Sequence, residues 1–313
     1  MSLVKGVVTQ SFGRINFVRH NNKIYECNIR GVLRIKNIRT TNPVAVGDIV
    51  NFEINDENSG TIVSVEDRKN YIIRRSTNLS RESHIIAANI DQALLVVTLK
   101  NPVTTALFID RFLVTAHAYR IPVILVFNKI DIYSSEEIEE VAEMMAVYDL
   151  AGYELLDTSV PKNRNINKLK EILRDKKSVI SGHSGVGKSS LINAIDPDLN
   201  LAVATISEAH KTGRHTTSYA QMIPLAFGGD IIDTPGIRGF GIIDIEDEEL
   251  YHFFPEIFKI SHNCRFNNCQ HVNEPDCAVI QAVEGGEIAF SRYNSYISIL
   301  NDDNGKFRHK IGG

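Results

Sequence analysis

Short runs of alternating apolar and polar residues fill the first 75 positions of the 313-residue chain. They cover residues 4–8, 14–18, 24–29, 49–54 and 61–65, and glycine, asparagine and proline separate them. A period of two is typical of β-strands with one buried face, and turn residues between short strands indicate tight connections. The pattern predicts a small β-barrel or sandwich in this part of the chain.

Further apolar runs predict strands at residues 121–127, 153–156, 178–180 and 219–225. Polar or glycine-rich segments follow several of them, where the ligand-binding loops of an α/β sheet are expected. No apolar run approaches the ~18–20 residues that cross a membrane, and a charged-then-apolar secretion signal is missing. We therefore expect a cytoplasmic protein with no membrane partner.

Charge is unevenly distributed along the chain, whose net charge is −4. Residues 1–75 hold twelve Lys and Arg against seven Asp and Glu, and four of these cations fall in one predicted loop: Arg30, Arg34, Lys36 and Arg39. A basic loop on a barrel can follow RNA phosphates, although a solvated charge cluster is the simpler explanation. Residues 241–313 are acidic, and the run 246–249 suits the first turn of a helix.

A phosphate-binding loop follows the strand predicted at 178–180. Its residues are Gly182, His183, Ser184, Gly185, Val186, Gly187, Lys188 and Ser189, and Ser190 continues into a helix. Glycines let backbone N–H groups surround phosphate oxygens, and the helix N-terminus adds partial positive charge. We expect Lys188 to contact the β- and γ-phosphates and Ser189 to bind Mg²⁺.

A guanine-recognition motif precedes that loop in the chain. It consists of Asn128, Lys129, Ile130 and Asp131, at the end of the strand predicted at 121–127. The Asp131 carboxylate can accept hydrogen bonds from the N1–H and NH₂ of guanine, which adenine does not offer. Thr158 and Ser159, after the strand at 153–156, are candidates for a second guanine contact.

The third nucleotide motif, Asp233-Thr234-Pro235-Gly236, comes last. We expect Asp233 to hold Mg²⁺ through water and the Gly236 amide to meet the γ-phosphate. In ordinary small GTPases the phosphate loop comes first and the guanine motif near the end. The rotated order predicts a circularly permuted α/β P-loop GTPase domain, which is feasible where the original termini lie close together.

The segment between phosphate loop and Asp233 contains His215, Thr216 and Thr217. One threonine is the expected switch-loop magnesium ligand, and we favour Thr217. Ile237 stands after Gly236, where many GTPases carry a glutamine that orients the attacking water. Isoleucine cannot do this, so His215 or His183 is a candidate for the catalytic role. We prefer His215, and the alternative is that both histidines only pack or bind phosphate.

Three of the four cysteines cluster near the C-terminal end in the pattern Cys264-x₄-Cys269-x-His271-x₅-Cys277. Three thiolates and one imidazole form the closed tetrahedral set of a structural zinc site. His262 is a competing ligand, but the tighter spacing favours His271. A disulfide framework is disfavoured because three cysteines cannot all pair and nothing indicates secretion. Cys27 falls in an apolar strand pattern and is expected to be buried.

The rotated motifs followed by Cys-Cys-His-Cys resemble the bacterial RsgA (YjeQ) family of circularly permuted GTPases. The resemblance covers essentially the whole chain and includes the phosphate loop, the switch segment ending in His215 to Thr217, and Ile237. It implies an N-terminal OB-fold at 1–72, a permuted GTPase domain at 73–240 and a mostly helical zinc-binding domain at 241–313.

The same resemblance implies a monomeric GTPase that binds the small ribosomal subunit and its rRNA and hydrolyses GTP to GDP during late maturation, with one Zn²⁺ per chain and Mg²⁺ with GTP. The alternative is a generic nucleotide-switch module with another RNA or protein partner. A metabolic kinase would need an acceptor site, and a membrane GTPase would need a lipid anchor; the sequence shows neither.

Overall fold

The computed structural model describes residues 3–31, 43–75, 83–200, 220–233 and 245–302. The chain divides into two compact units. The first unit comprises Met1–Ala93, Asn167–Ser181 and Lys188–Gly241, and the second comprises Leu94–Ile166, Gly182–Gly187 and Ile242–Gly313. In the described part of the chain, no helix combines the length and apolar character needed to span a bilayer.

The first unit begins with a five-stranded barrel. Its strands are β1 (Leu3–Phe12), β2 (Ile15–His20), β3 (Lys23–Ile29), β4 (Ile49–Ile54) and β5 (Ser59–Val65). They are ordered β1-β2-β3-β5-β4, and β4 pairs back with β1, which closes the barrel. Val8, Val18, Phe52 and Ile62 fill the interior together with Cys27. The five strands predicted from alternation are confirmed, in a barrel rather than a sandwich.

The hairpin of β6 (Tyr71–Arg75) and β7 (Ser83–Ala88) follows the barrel. The first unit also holds β11 (Lys177–Ser181), β12 (Gln221–Pro224) and β13 (Asp230–Asp233), with most of α3 (Ile166–Leu173) and α4 (Lys188–Ile195). Strands β11 and β13 are parallel, and β12 is antiparallel to β13. β12 also pairs with β1 at Gln221 and Gln10, so the barrel continues this sheet.

The second unit contains a small group of neighbouring strands. Its strands are β8 (Gln92–Val97), β9 (Val123–Phe127) and β10 (Glu154–Asp157), in the order β10-β9-β8. Every residue of β8 and β9 is buried, as expected for strands with both faces covered. The helices are α1 (Ala106–Ala118), which Thr105 caps, and α2 (Ser135–Leu150), which begins with a capping box of Ser134 and Glu137.

In the C-terminal part of the second unit, the described residues 245–302 form helices joined by irregular segments. It consists of a 3₁₀ helix (Asp247–Phe253), α5 (Pro255–Ser261), α6 (Ala278–Glu284) and α7 (Phe290–Leu300). The acidic run at 246–249 does begin a helix, but a 3₁₀ helix rather than an α-helix. Val114 of α1 belongs to the same buried cluster as Phe254, Ile257 and Tyr296, so this segment shares a core with α1.

Candidate nucleotide site and metal centre

The phosphate loop lies in the second unit, at Gly182–Gly187. Gly182 has φ 138°, and a β-carbon there would lie 2.3 Å from the carbonyl oxygen of Val96. Gly187 has φ 100°, and a β-carbon there would lie 2.4 Å from the side-chain nitrogen of Asn128. These two positions accept only glycine. Ser184 and Gly185 at the top of the loop are exposed, which leaves that part of the loop accessible to a ligand.

The N-K-x-D motif is hydrogen-bonded directly to the phosphate loop. The buried Asn128 side chain donates to the carbonyl oxygen of Val186 at 2.8 Å. Lys129 has a left-handed backbone, and its ammonium group donates to the carbonyl oxygens of Gly185 and Asn101, both at 2.6 Å. Two residues of the motif therefore fix the loop, which the sequence pattern alone does not indicate.

Thr158 and Ser159 support the motif from the neighbouring strand end. The Thr158 hydroxyl donates to Oδ1 of Asn128 at 3.0 Å, and the Ser159 hydroxyl donates to Oδ1 of Asp131 at 2.5 Å. Both residues are almost completely buried, whereas Asp131 is exposed. The structure therefore brings these four residues together and leaves the Asp131 carboxylate accessible to a base.

Two contacts in this region involve residues that sequence analysis missed. Phe108 on α1 stacks on the imidazole of His183, with ring centroids 4.0 Å apart. The Tyr133 hydroxyl donates to the carbonyl oxygen of Asn128 at 3.1 Å and accepts from the Leu99 amide at 2.9 Å. The stacking supports a packing role for His183. No local sequence signal identifies Phe108 as the partner of His183 or Tyr133 as the partner of Leu99, because the residues of each pair lie far apart in the chain.

The first unit carries the ionisable residues expected to meet phosphate and metal. Lys188 and Ser189 begin α4, and both are buried. Burial lowers the pKa of Lys188 to about 8, and the Asp233 carboxylate acts in the opposite direction. Burial raises the pKa of Asp233, and the charge of Lys188 offsets part of this effect. Each charge is thus partly compensated by the other in a desolvated environment.

Several predicted residues lie outside the described ranges, and they remain predictions. They are the switch-segment residues His215, Thr216 and Thr217, the loop residues Gly236 and Ile237, and the basic residues Arg34, Lys36 and Arg39.

The cysteine–histidine cluster converges in space as the spacing predicts. The ligand atoms of Cys264, Cys269, His271 and Cys277 all lie within 4.8 Å of one another. Nδ1 of His271 is 3.5 Å from the sulfurs of Cys264 and Cys277, and the Cys277 sulfur lies 3.9 Å from that of Cys264 and 3.7 Å from that of Cys269. These sulfurs are far too distant for disulfides.

The distances fit a tetrahedral metal. Zn–S bonds of about 2.3 Å and a Zn–N bond of about 2.0 Å give edges of about 3.8 Å between sulfurs and about 3.5 Å between sulfur and nitrogen. Burial raises the pKa of the Cys269 thiol to about 12 and lowers the pKa of His271. A cation at the centre would reverse the effect on the thiol by stabilising the thiolate, so the residues present fit the group.

The fold and site define a class of protein. Parallel strand pairs, with a phosphate loop and an N-K-x-D motif bonded to it in rotated chain order, define a circularly permuted P-loop GTPase with an N-terminal β-barrel. The sequence matches the RsgA GTPase family over residues 65–243 and the RsgA N-terminal domain over residues 5–62. The chain belongs to the RsgA GTPase family.

Full-length relatives agree with this assignment. The Flavobacterium psychrophilum protein named small ribosomal subunit biogenesis GTPase RsgA is 50% identical, and the match covers 98% of this chain and 95% of that protein. A Bacteroides fragilis protein of the same name is 49% identical, with coverage of 97% and 99%.

Two solved structures are similar over almost their whole length. The crystal structure of YjeQ from Thermotoga maritima has a TM-score of 0.79 and 35% identity, covering 97% of this chain and 99% of that chain. The crystal structure of YloQ, described as a circularly permuted GTPase, has a TM-score of 0.75 and 29% identity, with coverage of 99% and 98%.

Proposed function

We propose that this protein binds the small ribosomal subunit and hydrolyses GTP to GDP and phosphate during late maturation of that subunit. The observation that carries the GTPase assignment is the bonding of Asn128 and Lys129 to the phosphate loop, which joins guanine recognition to phosphate binding. The ribosomal partner rests on relatives of about 50% identity that are named for small-subunit biogenesis. The generic nucleotide-switch alternative has no comparable support.

Each nucleotide-binding residue has a distinct proposed role. Asp131 recognises the edge of the guanine base. The recognition site is held in place by Asn128, Lys129, Thr158 and Ser159. Ile130 lies between Lys129 and Asp131 in the motif. The phosphate loop binds the phosphates through backbone N–H groups from Gly182 to Ser190, with Lys188 adding charge. Mg²⁺ is assigned to Ser189 and Thr217 and, through water, to Asp233. The Gly236 amide is assigned to the γ-phosphate.

We assign to His215 the role of orienting the attacking water, because Ile237 has no group that could do so. A group supplied by the ribosomal subunit would complete the site, as trans-acting groups do for other GTPases.

The flanking regions complete the proposal. The barrel order β1-β2-β3-β5-β4, closed by β4 and β1, supports an OB-fold that binds rRNA. The Cys₃His cluster is proposed to bind one structural zinc per chain, because four protein ligands leave no open position. We keep the proposed domains at 1–72, 73–240 and 241–313, a monomeric state and a cytoplasmic location, where ribosomal subunits mature.

Hydrolysis measured with and without purified small subunits tests this function. Phosphate release from GTP is expected to be slow for the protein alone and clearly faster with small subunits, whereas large subunits provide the matched control. Trans-acting groups accelerate other GTPases by ~10³–10⁵-fold, and we expect a smaller factor here. A rate that is high without subunits and unchanged by them would contradict the proposal.

A further inference from the structure

His271 is held in an unfavourable backbone conformation. Its φ is 60°, in the left-handed region that residues with a β-carbon rarely adopt. Its Nδ1 faces the sulfurs of Cys264 and Cys277, but Nε2 is buried and has no hydrogen-bond partner among the described residues. Metal-binding histidines are usually oriented through a hydrogen bond from this second nitrogen. The orientation of His271 must therefore be set in another way.

Glu274 binds the backbone on both sides of His271. One carboxylate oxygen accepts from the amide of Gln270 at 2.7 Å. The other accepts from the amides of Val272 at 2.8 Å and Asn273 at 3.1 Å. Three backbone donors on one carboxylate form charge-assisted hydrogen bonds, which are stronger than bonds between neutral groups. We call residues 270–273 the metal loop. Glu274 therefore fixes this loop through its backbone N–H groups.

Helix α7 binds the same loop through its carbonyl groups. The hydroxyl of Tyr293 donates to the carbonyl oxygen of His271 at 2.8 Å. The hydroxyl of Tyr296 donates to the carbonyl oxygen of Gln270 at 2.6 Å. Tyr296 is completely buried in the core that α7 shares with α1, so its position is fixed by packing. The metal loop is therefore held between Glu274 and a helix that does not itself supply a ligand.

We propose that Glu274, Tyr293 and Tyr296 are positioning residues of the metal centre, which hold the metal loop so that His271 Nδ1 meets the three sulfurs without rearrangement. This inference rests on the proposal that the cluster binds zinc. Zinc affinity then depends on these residues because a loose loop would lose conformational entropy on binding the ion. Without them His271 would relax from its left-handed backbone and move Nδ1 away from the sulfurs.

The zinc dissociation constant of the full chain, measured by competition with a chelator, tests the proposal. Glu274→Gln replaces one acceptor oxygen by an NH₂ group that faces backbone N–H donors. We expect roughly 10- to 100-fold weaker zinc binding, the usual range for such supporting residues. Tyr293→Phe and Tyr296→Phe each remove one hydrogen bond, and we expect roughly 3- to 10-fold weaker binding for each.

Matched controls separate positioning from general damage. Glu287→Gln changes an exposed carboxylate in the same helical region, and Tyr251→Phe keeps the ring that lies 5.0 Å from the imidazole of His271. Both are expected to bind zinc as the wild type does. Co²⁺-loaded Tyr293→Phe and Tyr296→Phe should keep the wild-type absorption spectrum, because all four ligands remain.

Three results would overturn the inference in distinguishable ways. Wild-type protein that binds no zinc removes the metal site itself. Affinities of all three variants within twofold of the wild type leave the zinc site intact and refute the positioning role. Equal losses in Glu287→Gln and Glu274→Gln would show that the loss of any acidic charge, rather than the hydrogen bonds to the loop, weakens binding.

Discussion

At the residue scale, the N-K-x-D motif has a structural role beside the recognition role proposed for it. Asn128 and Lys129 bond to the phosphate loop, and Asp131 is the member of the motif whose carboxylate stays exposed. Ser159 holds that carboxylate by one oxygen, at 2.5 Å. Changes at Asp131 should therefore alter base specificity without loosening the loop. Changes at Asn128 should alter base specificity and also loosen the loop.

The first prediction concerns base specificity. Asp131→Asn gives guanine an amide NH₂ where it needs an acceptor, whereas xanthine offers a carbonyl that this NH₂ can bind. We expect GDP affinity to fall by roughly 10²-fold or more and xanthosine diphosphate affinity to rise. Fluorescence titration with each nucleotide measures this change in base specificity. Unchanged GDP affinity would show that Asp131 does not recognise guanine.

The second prediction concerns pH. The buried Lys188 has its pKa lowered to about 8 in the free protein, and bound phosphates favour its charged form. GDP affinity should be constant below pH 8 and should fall as the pH rises above 8, because charging the neutral lysine then opposes binding. Nucleotide titrations between pH 7 and 9.5 measure this pH dependence of GDP affinity. The Lys188→Ala variant shows how much of the pH dependence is due to ionisation of the guanine base. A wild-type profile parallel to that of Lys188→Ala would refute the prediction.

At the element scale, α1 and α7 are joined by a buried polar network. Arg292 of α7 donates to Asp110 of α1 and to Glu256 of α5, both at 2.6 Å. Its guanidinium lies 4.7 Å from the ring centre of Phe254, and Tyr148 of α2 donates to Asp110 at 3.0 Å. The C-terminal helices are thus connected to α1 and α2 of the second unit by polar contacts, and to α1 also by the shared apolar core.

The third prediction follows from this network. Asp110→Ala leaves Arg292 buried without one of its two carboxylate partners, and we expect unfolding free energy to fall by about 3–5 kcal/mol. Arg164→Ala breaks an exposed ion pair with Asp157 in the same unit and should cost less than about 1 kcal/mol. Urea unfolding measures both. Equal, small losses would show that the buried network does not stabilise the fold.

The fourth prediction concerns the junction between the barrel and β13. Strand β1 of the barrel pairs with β12 at Gln10 and Gln221, and Arg19 of β2 binds both carboxylate oxygens of Asp230 at 2.6 Å. Arg19→Ala should lower the unfolding free energy by about 1.5–3 kcal/mol, because Asp230 is largely buried. Lys5→Ala, in an exposed pair with Glu66, is the control and should cost under about 1 kcal/mol.

Exchanging the two charges refines that test. The double variant with Arg19→Asp and Asp230→Arg should recover part of the stability that Arg19→Asp loses, if the pair itself holds the junction. Thermal unfolding of the single and double variants gives the interaction energy. Strictly additive losses would exclude a direct contribution from the pair.

At the scale of the whole molecule, a permuted GTPase is flanked by a barrel and by a helical metal-binding segment. The basic surplus lies in residues 1–75 and the acidic surplus in residues 241–313. The negatively charged rRNA of a ribosomal partner would therefore meet positive charge mainly at the barrel. Binding of its phosphates there would release counterions. The barrel pairs with β12 in the first unit, and the C-terminal helices share a core with α1 in the second.

The fifth prediction joins catalysis to that partner. Stimulation of GTP hydrolysis by small subunits should weaken as salt rises from 50 to 200 mM, because counterion release contributes to docking. His215→Ala should reduce the stimulated rate far more than GDP affinity, whereas Lys188→Ala should reduce both. Steady-state hydrolysis and nucleotide titration separate the two effects, and an undiminished stimulated rate would exclude His215.

The nucleotide motifs, the Cys₃His cluster and the barrel strands could be predicted because each depends on residues close together in sequence. A phosphate loop needs its glycines and lysine at fixed spacing, four metal ligands need short separations, and strand alternation is local. The rotated motif order was likewise visible along the chain. The acidic run at 246–249 was likewise recognised as the start of a helix, although no local rule separates a 3₁₀ helix from an α-helix.

Only the tertiary structure showed what holds these parts together. The bond from Asn128 to the phosphate loop joins residues 58 positions apart, and the pair of Arg292 with Asp110 joins residues 182 positions apart. The core that α7 shares with α1 likewise joins residues far apart in the chain. Contacts of this kind depend on which helix faces meet after folding, and a local pattern specifies that a face is apolar without specifying its partner.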